Sequence, residues 1–309
     1  MIYMTNKIVA IQGDYLNTLN IHTDSTIFLA NEAQNRGYRL FYYYPENLSN
    51  IKDKTYAEGY FIKINYKKKI FYTILKKKKL DLSLTKYLLI RQDPPFNLEY
   101  ISTTLMLDRI KEKTKIINDP TSVRNISEKF YSLNFKKYMT DTIFTKNLIE
   151  IKNFFNKHRE IILKPIHSYG GNDIYHLKKF NILKIKKILK KHGFIMCQKF
   201  LKKIKFGDKR VFIINGNICG AISRVPKSGS ILSNMSKGAK PMTTVLTSNE
   251  IKVSNIIAKQ LKKDGIYFAG IDFIDGKLNG DINVTSPTGI KTYFDLSKIN
   301  LAKYFWKAI

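Results

Sequence analysis

Two aspartates and an asparagine near the end of the chain are of the side-chain types that hold a magnesium ion. Residues 268–274 are rich in β-formers, Asp275-Gly276 favours a type I′ turn, and a second strand follows. On that second strand the side chains of Asp281 and Asn283 leave the same face, and Asp272 lies on the partner strand. Carboxylate and amide oxygens suit Mg²⁺, which also takes substrate phosphates as ligands. The same spacing is equally typical of ordinary polar residues on an edge strand.

A second group of residues has the chemistry of a phosphate site. Residues 161–165 predict an apolar strand that carries Lys164, and Tyr169, Gly170 and Gly171 follow in a turn of small residues. Paired glycines let backbone N–H groups approach phosphate oxygens closely, and a lysine adds positive charge. A Gly-Gly pair alone usually marks a plain tight turn, so the preceding lysine is what favours phosphate binding.

Arginines at the ends of predicted strands are candidate contacts for a charged substrate. Arg210 begins one strand and Arg224 ends the next. Arg91 and Asp93 follow a strand over residues 86–90, in a turn made rigid by two prolines. Open α/β sheets bind ligands at the carboxyl ends of their strands. Ion-paired surface arginines and a plain loop remain the alternatives.

The strongly basic composition does not by itself indicate a nucleic-acid partner. The formal charge is +30, but only eight of the 54 basic residues are arginine. Lysine, isoleucine, asparagine, tyrosine and phenylalanine are all abundant, and all have A/T-rich codons. Proteins that read nucleic acid rely on arginine for bidentate base contacts. We therefore interpret most of the charge as compositional drift on solvated surfaces.

Cysteine usage and hydropathy favour a reduced, soluble protein. Cys197 and Cys219 lie in no CxxC or Cys/His cluster, and the five histidines show no zinc spacing. The sequence has no apolar run of about eighteen residues and no signal-like N-terminus. We expect a cytoplasmic protein without a membrane partner.

The order of elements predicts an α/β protein that opens with a β-α-β unit. A strand over residues 7–12 precedes a helix that is capped by Asp24 and ends at Gly37, and a strand over 38–44 follows. Residues 45–83, with the lysine runs 67–69 and 76–79, are expected to be irregular. Helices are predicted over 102–115, 128–135 and 182–191, and further strands over 115–118, 173–177 and 194–201.

Taken together, these features resemble the bacterial glutathione synthetases, a family of the ATP-grasp superfamily. The resemblance covers nearly the whole chain, and its most specific parts are Asp-Pro-Pro-Phe at 93–96 and Asn-Val-Thr-Ser-Pro-Thr at 283–288. It implies an α/β ATP-grasp fold with an N-terminal β-α-β (pre-ATP-grasp) domain. The implied divisions are an N-terminal substrate domain over 1–122, an ATP-grasp lid subdomain over 123–203 and a catalytic subdomain over 204–309.

The resemblance also implies a role for each candidate residue. Those implied for ATP are Lys129, Lys164, Tyr169, Gly170, Gly171, Gln198, Phe200 and Leu201. Those implied for Mg²⁺, with Mn²⁺ as the alternative ion, are Asp272, Asp281 and Asn283. Those implied for the peptide substrate are Arg91, Asp93, Arg210, Arg224, Asn283, Ser286 and Thr288. Arg210 and Lys164 are the implied catalytic residues.

The implied reaction is the ligation of γ-L-glutamyl-L-cysteine and glycine with ATP. The dipeptide carboxylate would attack the γ-phosphate, and glycine would then attack the acyl phosphate while Arg210 stabilises the oxyanion. A loop over residues 228–240 is the candidate lid that excludes water. The resemblance also implies a homo-oligomer, usually a tetramer. The alternatives are an ATP-grasp carboxylate–amine ligase of other specificity and a decayed protein that binds nucleotide or polyanion without turnover.

Four positions depart from the pattern usual in the family. Asp281 stands where glutamate is usual, with an extra residue in the hairpin before it, and a bulge at Gly280 is expected to compensate. The phosphate loop reads His-Ser-Tyr-Gly-Gly in place of Asp-Gly-Met-Gly-Gly. Leu232 replaces an arginine of the mobile loop, and Arg91-Gln92 stands where Arg-Lys is usual.

Overall fold

Three β-sheets follow one another along the chain in the computed structural model, which describes residues 7–66, 68 and 70–309. The strands of the first sheet are β1 (Ile8–Gln12), β2 (Arg39–Ile51), β3 (Lys54–Ile64), β4 (Tyr72–Asp81), β5 (Tyr87–Ile90) and β6 (Lys115–Ile117). Those of the second are β7 (Thr142–Thr145), β8 (Ile161–Pro165), β9 (Tyr175–Leu177) and β10 (Ile195–Lys199). Those of the third are β11 (Asp208–Ile214), β12 (Asn217–Val225), β13 (Lys240–Thr243), β14 (Phe268–Ile274) and β15 (Lys277–Asn283). The strand orders are β4-β3-β2-β1-β5-β6, β7-β10-β8-β9 and β13-β12-β11-β14-β15.

Helices pack around these sheets. They are α1 (Ser25–Asn35), α2 (Leu98–Asp108), α3 (Pro120–Asn125), α4 (Leu148–His158), α5 (Ile182–His192), α6 (Ser248–Lys263), α7 (Ile290–Ser297) and α8 (Leu301–Lys307). Short 3₁₀ turns lie at Leu16–Thr18, Leu82–Leu84, Phe130–Tyr138, Lys202–Phe206 and Met235–Lys237. Over the ranges described, none of the helices combines the length and apolar character needed to cross a membrane.

The predicted β-α-β opening is confirmed. β1 pairs in parallel with β2 and with β5, as expected for strands joined by crossover connections. Asp24 caps α1, because its Oδ1 accepts a hydrogen bond of 2.7 Å from the Ile27 amide. Gly37 follows the helix with a φ of +83°, the conformation in which glycine commonly ends helices.

The expectation of irregular structure over residues 45–83 is wrong. β2 continues to Ile51, and β3 and β4 complete an antiparallel meander. β4 lies at the edge of the sheet, and its residues 73–79 are exposed on both faces, so the chain shows no alternation of apolar and polar residues there. Lysines 76–79 suit an edge strand because their charges oppose pairing with another chain. Lys67 and Lys69 lie outside the described residues.

Two predicted helices also differ from the observed elements. The helix predicted over 102–115 is α2, which starts earlier because the Asn97 side chain caps it through the Tyr100 amide. It ends at Asp108 in a series of turns. The segment predicted as a helix over 128–135 is instead the 3₁₀ turn Phe130–Tyr138.

The first and third sheets are joined by a buried polar side chain. Asn118, just after β6, donates to the carbonyls of Phe268 and Val284 at 2.8 and 2.7 Å. Its Oδ1 accepts from the amides of Tyr267 and Phe268 at 2.9 and 2.8 Å. The start of β14 and the residue after β15 are therefore fixed to the N-terminal sheet. The second sheet has a separate small core with α4 and α5, which includes Ile151, Leu163 and Ile185.

Candidate active site

A cavity of about 570 Å³ brings together most of the predicted site residues. Its wall includes every residue assigned to ATP and to metal, which are Lys129, Lys164, Tyr169, Gly170, Gly171, Gln198, Phe200, Leu201, Asp272, Asp281 and Asn283. Of the residues assigned to the peptide substrate, Asp93, Arg210, Arg224, Asn283, Ser286 and Thr288 line it. Arg91 does not.

The positions of Asp272 and Asp281 depend on a β-bulge in the hairpin of β14 and β15. The turn has positive φ at both Asp275 (51°) and Gly276 (70°), as the predicted type I′ turn requires. Ile271 pairs with Ile282 and Phe273 with Leu278, so residues 279–281 lie opposite Asp272 alone. Gly280, with φ of +86°, is in the middle of this bulge. The bulge predicted from that glycine is confirmed, and it carries Asp281 in the cavity wall.

Asp281 lies between the two lysines assigned to ATP phosphates. Its Oδ1 is 3.4 Å from Lys129 Nζ, and its Oδ2 is 3.3 Å from Lys164 Nζ. Burial alone raises the pKa of Asp281, but the charges of Lys164 and Lys129 outweigh burial and hold that pKa below its ordinary value. Burial lowers the pKa of Lys164, and Asp281 opposes this effect. Lys164 Nζ also donates to the carbonyl and side-chain oxygens of Asn279, both at 2.9 Å.

Asp272 belongs to a buried network of four alternating charges. Arg210 pairs with Asp272 across the β11–β14 register, and Arg224 pairs with Asp208 across the β11–β12 register. Arg210 donates to both oxygens of Asp272, with Nη2 at 2.8 Å from Oδ2. Arg224 Nη2 lies 3.0 Å from that same oxygen and also bonds Asp208. Burial alone raises the pKa of Asp272, but the two guanidiniums lower it to about 2.

The donor set of this wall fits a magnesium ion. Asn283 Nδ2 donates to the Gly270 carbonyl at 3.0 Å, which leaves its Oδ1 for another partner. Together with Asp272 and Asp281, that amide supplies the hard oxygen ligands that Mg²⁺ prefers. Across the residues with described positions, no three His, Cys, Asp or Glu side chains form a metal cluster. A metal ion here would therefore depend on the amide oxygen and on substrate phosphates as well as the two carboxylates.

The glycine loop after β8 meets the candidate lid. Gly170 and Gly171 have φ of +63° and +77°, and a Cβ on Gly171 would lie 2.4 Å from Asn234 Oδ1. Lys129 Nζ donates to the Ser168 carbonyl at 2.5 Å, which ties the loop to the phosphate lysine. Ser233, in the lid, donates to Asp208 Oδ2 at 2.6 Å.

Gln198, assigned to ATP, lies on β10, and Phe200 and Leu201 are the two residues after that strand. Gln198 donates through Nε2 to Thr142 Oγ1 at 3.1 Å, which orients its amide along the wall. The Phe200 ring lies over the His176 ring, with centroids 4.1 Å apart. The Phe200 amide is already bonded to the Glu160 carbonyl, so it is not free for a ligand.

Arg91 is buried behind the cavity wall. Its Nε donates to Thr26 Oγ1 at 3.1 Å and its Nη2 to the Pro287 carbonyl at 2.9 Å. Ser286 Oγ donates to the Arg91 carbonyl at 3.2 Å. Arg91 therefore fixes the turn that carries Ser286 and Thr288, whereas Asp93 is itself in the wall.

Among the wall residues that the sequence did not indicate are Glu128, Asp208 and Asn279. Asp208 stands two positions before Arg210 in the Asp-Lys-Arg segment, so their shared strand face was a usable indication. Glu128 bonds to residues 284 and 285, far away in sequence, and nothing local in the sequence indicates that contact.

Comparison with known proteins shows which family of proteins this chain is similar to. The profile described as "Prokaryotic glutathione synthetase, ATP-grasp domain" matches residues 128–297, and "Prokaryotic glutathione synthetase, N-terminal domain" matches residues 8–124. The chain is 38% identical over 308 residues to "Glutathione synthetase" of Agrobacterium fabrum, covering 98% of this chain and 96% of that protein. It is 34% identical over 284 residues to "Glutathione synthetase" of Escherichia coli O157:H7, covering 90% of each.

Solved structures share the fold at much lower sequence identity. "D-cycloserine synthetase DcsG" superposes with a TM-score of 0.67 at 13% identity, covering 97% of this chain and 98% of that one. "D-alanyl-alanine synthetase A" from Vibrio cholerae superposes with a TM-score of 0.61 at 14% identity, covering 99% and 98%. These likenesses bear on the ATP-grasp fold alone. The full-length matches show that the chain belongs to the prokaryotic glutathione synthetase family of ATP-dependent peptide ligases.

Proposed function

We propose that this chain joins γ-glutamylcysteine to glycine through an acyl phosphate formed from ATP. Different residues of the cavity bind the ATP and the peptide substrate. The observation that carries the proposal is the shared wall of one cavity, where Lys129 and Lys164 meet Asp281 beside the Arg210–Asp272 pair. Anion-binding cations and hard oxygen ligands at one place are what phosphoryl transfer to a carboxylate requires.

ATP is held on the side of the second sheet. Lys129 and Lys164 neutralise phosphate oxygens, and Gly170 and Gly171 offer backbone N–H groups to them. The adenine lies against the end of β10 and contacts Gln198, Phe200 and Leu201. Tyr169, in the glycine loop, also contacts ATP. Asp272, Asp281 and Asn283 would hold Mg²⁺ or Mn²⁺, which would supply positive charge to neutralise the phosphate oxygens.

The peptide substrate is held on the side of the third sheet. Arg224, Asn283, Ser286 and Thr288 contact the dipeptide, and Arg91 keeps their turn in place through Pro287. Arg210 donates hydrogen bonds to the tetrahedral oxyanion that forms when glycine attacks the acyl group. The lid over residues 228–240 excludes water while the acyl phosphate exists.

The division of the chain into segments 1–122, 123–203 and 204–309 forms part of the proposal. It is supported by the three sheets, each of which lies within one segment. Assembly as a homotetramer is proposed from the resemblance alone.

The experiment is ADP release from purified protein with ATP, Mg²⁺, γ-glutamylcysteine and glycine, each omitted in turn. We expect full release to need all four and to disappear in Arg210→Ala. Release with another amino-acid pair and not with these would favour a ligase of other specificity. Tight ATP binding without release under any condition would leave a nucleotide-binding protein without turnover.

A further inference from the structure

The two carboxylate oxygens of Glu128, in the cavity wall, differ in their hydrogen bonds to the described residues. Glu128 Oε1 accepts hydrogen bonds from the Val284 amide at 2.8 Å, the Thr285 amide at 3.1 Å and Thr285 Oγ1 at 2.9 Å. Glu128 Oε2 accepts no hydrogen bond from any residue whose position is described. Three donors on one oxygen fix the plane of the carboxylate, so the second oxygen is positioned in advance.

The acids of the third sheet that share this wall already have a cation of the protein beside each oxygen. Asp208 and Asp272 each have both oxygens bonded to arginine. Asp281 has one oxygen near Lys129 and the other near Lys164. Glu128 Oε2, by contrast, has no cation of the protein bonded to it among the described residues.

The surroundings of Glu128 strengthen its attraction for a cation. The Tyr100 side chain is 1% exposed, and its hydroxyl has no hydrogen-bond partner among the described residues. Burial, and then the charge of Glu128, raise the pKa of Tyr100, so the phenol stays neutral. A buried, neutral neighbour on one side lowers the local polarity, which makes a charge–charge contact there worth more than it is in water.

Glu128 is bonded to the strand end that carries Asn283 and stands next to Lys129 in the chain. The residues that hold Oε1 follow directly after Asn283, and Glu128 O accepts a hydrogen bond from the Ile282 amide at 3.1 Å. The next residue, Lys129, contacts Asp281. An attacking amine must come within about 3–3.5 Å of the carbonyl carbon of the acyl phosphate.

We propose that Glu128 Oε2 accepts a hydrogen bond from the ammonium group of the acceptor amino acid, glycine, and so selects and positions the nitrogen. That nitrogen attacks as the free amine, and its two surplus protons pass to the phosphate that leaves. This inference rests on the proposed ligation and adds a substrate contact that the sequence did not indicate. Asp24 and Asp93 also line the cavity, but they belong to the N-terminal segment of the chain.

The test is the variant Glu128→Gln, whose amide oxygen still accepts from the three donors while its NH₂ group faces the ammonium. We expect the KM for glycine to rise about 10- to 100-fold, the range for a lost hydrogen bond to a charged group. The KM values for γ-glutamylcysteine and ATP, and ADP release with the dipeptide alone, should stay within about twofold of wild type on the same grounds. Glu150→Gln, an exposed change in α4, is the matched control.

The outcomes separate this inference from the ligation itself. Wild-type protein that never consumes glycine overturns both proposals. Wild-type ligation with an unchanged glycine KM in Glu128→Gln overturns this one alone, as does a rise confined to the dipeptide. If Glu128→Gln does not fold, as judged by thermal melting, Glu128→Asp retains the charge but withdraws the oxygen. A glycine KM raised about three- to tenfold in that variant supports the inference, and an unchanged value overturns it.

Discussion

The second and third sheets hold the two sides of the cavity by different means. The second sheet contributes a lysine and a glycine loop whose useful groups belong to the main chain, and its small core is separate from the rest. The third sheet contributes buried side chains whose charges pair across neighbouring strands. Apart from Lys164, the contribution of the second sheet depends on backbone conformation, whereas that of the third sheet depends on side-chain identity. We therefore expect substitutions in the two regions to fail in different ways.

The largest effect is expected from Asp272→Asn. It leaves Arg210 and Arg224 with one full negative charge fewer in a buried site and removes a proposed metal ligand. The free energy of unfolding should fall by about 3–5 kcal/mol, the range for a broken buried ion pair. The kcat should fall at least about 1,000-fold. Urea unfolding and steady-state kinetics measure the two effects.

The control for that variant is an ion pair at the surface. Asp173 lies 3.0 Å from Lys191, whose side chain is largely exposed. Because surface pairs contribute little, Asp173→Asn should leave both stability and kcat near wild type. Equal losses in the two variants would contradict the special role of the buried network.

Lys164→Gln should give the next largest effect. The variant removes a cation from the phosphate side while its amide can still bond Asn279 and Asp281. We expect the KM for ATP to rise about 10- to 100-fold. Lys191→Gln is the matched surface control, and an equal KM in both variants would remove Lys164 from the nucleotide site.

Gly171→Ala tests the dependence of the phosphate loop on backbone conformation. The substitution places a Cβ at φ of +77° and close to Asn234. We expect about 1–2 kcal/mol lower stability from the left-handed conformation. The KM for ATP should rise about fivefold, equivalent to roughly 1 kcal/mol of lost binding.

Gly193→Ala is the matched control for that loop variant. Gly193 has φ of +69°, ends α5 and has no neighbour near its Cβ position among the described residues. It should lose similar stability but keep the wild-type KM for ATP. A raised KM in both variants would mean that the effect arises from general loosening of the second sheet.

Ser233→Ala should have the smallest effect. It removes the lid's hydrogen bond to Asp208, so the lid should open more often over the acyl phosphate. ADP release with ATP and dipeptide but no glycine should rise about two- to fivefold, as expected for one hydrogen bond. Ser228→Ala, an exposed change in the same loop, is the control. Identical ADP release from the two variants would mean that the lid's hydrogen bond to Asp208 does not help to exclude water.

The features that the sequence predicted well are local ones. Asp275-Gly276 and Gly280 specify the hairpin turn and the bulge through their own backbone preferences, so the placement of Asp281 could be anticipated. Asp24 as a helix cap and Lys164 on a buried strand are local in the same sense.

The features that it did not predict depend on contacts between distant segments. The strands β3 and β4 were missed because β4 is exposed on both faces, which removes the alternation that marks a half-buried strand. The pairing of Asp208 with Arg224 depends on strand register, and the contact of Glu128 with Thr285 depends on the packing of two distant segments. The direction of Arg91, away from the cavity, depends on burial against Pro287 and Thr26.

The most direct measurement is a comparison of kcat with ATP affinity in Arg210→Lys. The variant keeps the positive charge beside Asp272 but loses the two-pronged geometry of the guanidinium. We expect kcat for glutathione formation to fall about 100- to 1,000-fold, the cost of one misplaced oxyanion donor, while the Kd for ATP stays near the wild-type value. If the Kd for ATP rises as much as kcat falls, or if kcat is unchanged, the assignment of chemistry to the third sheet and of nucleotide binding to the second is wrong.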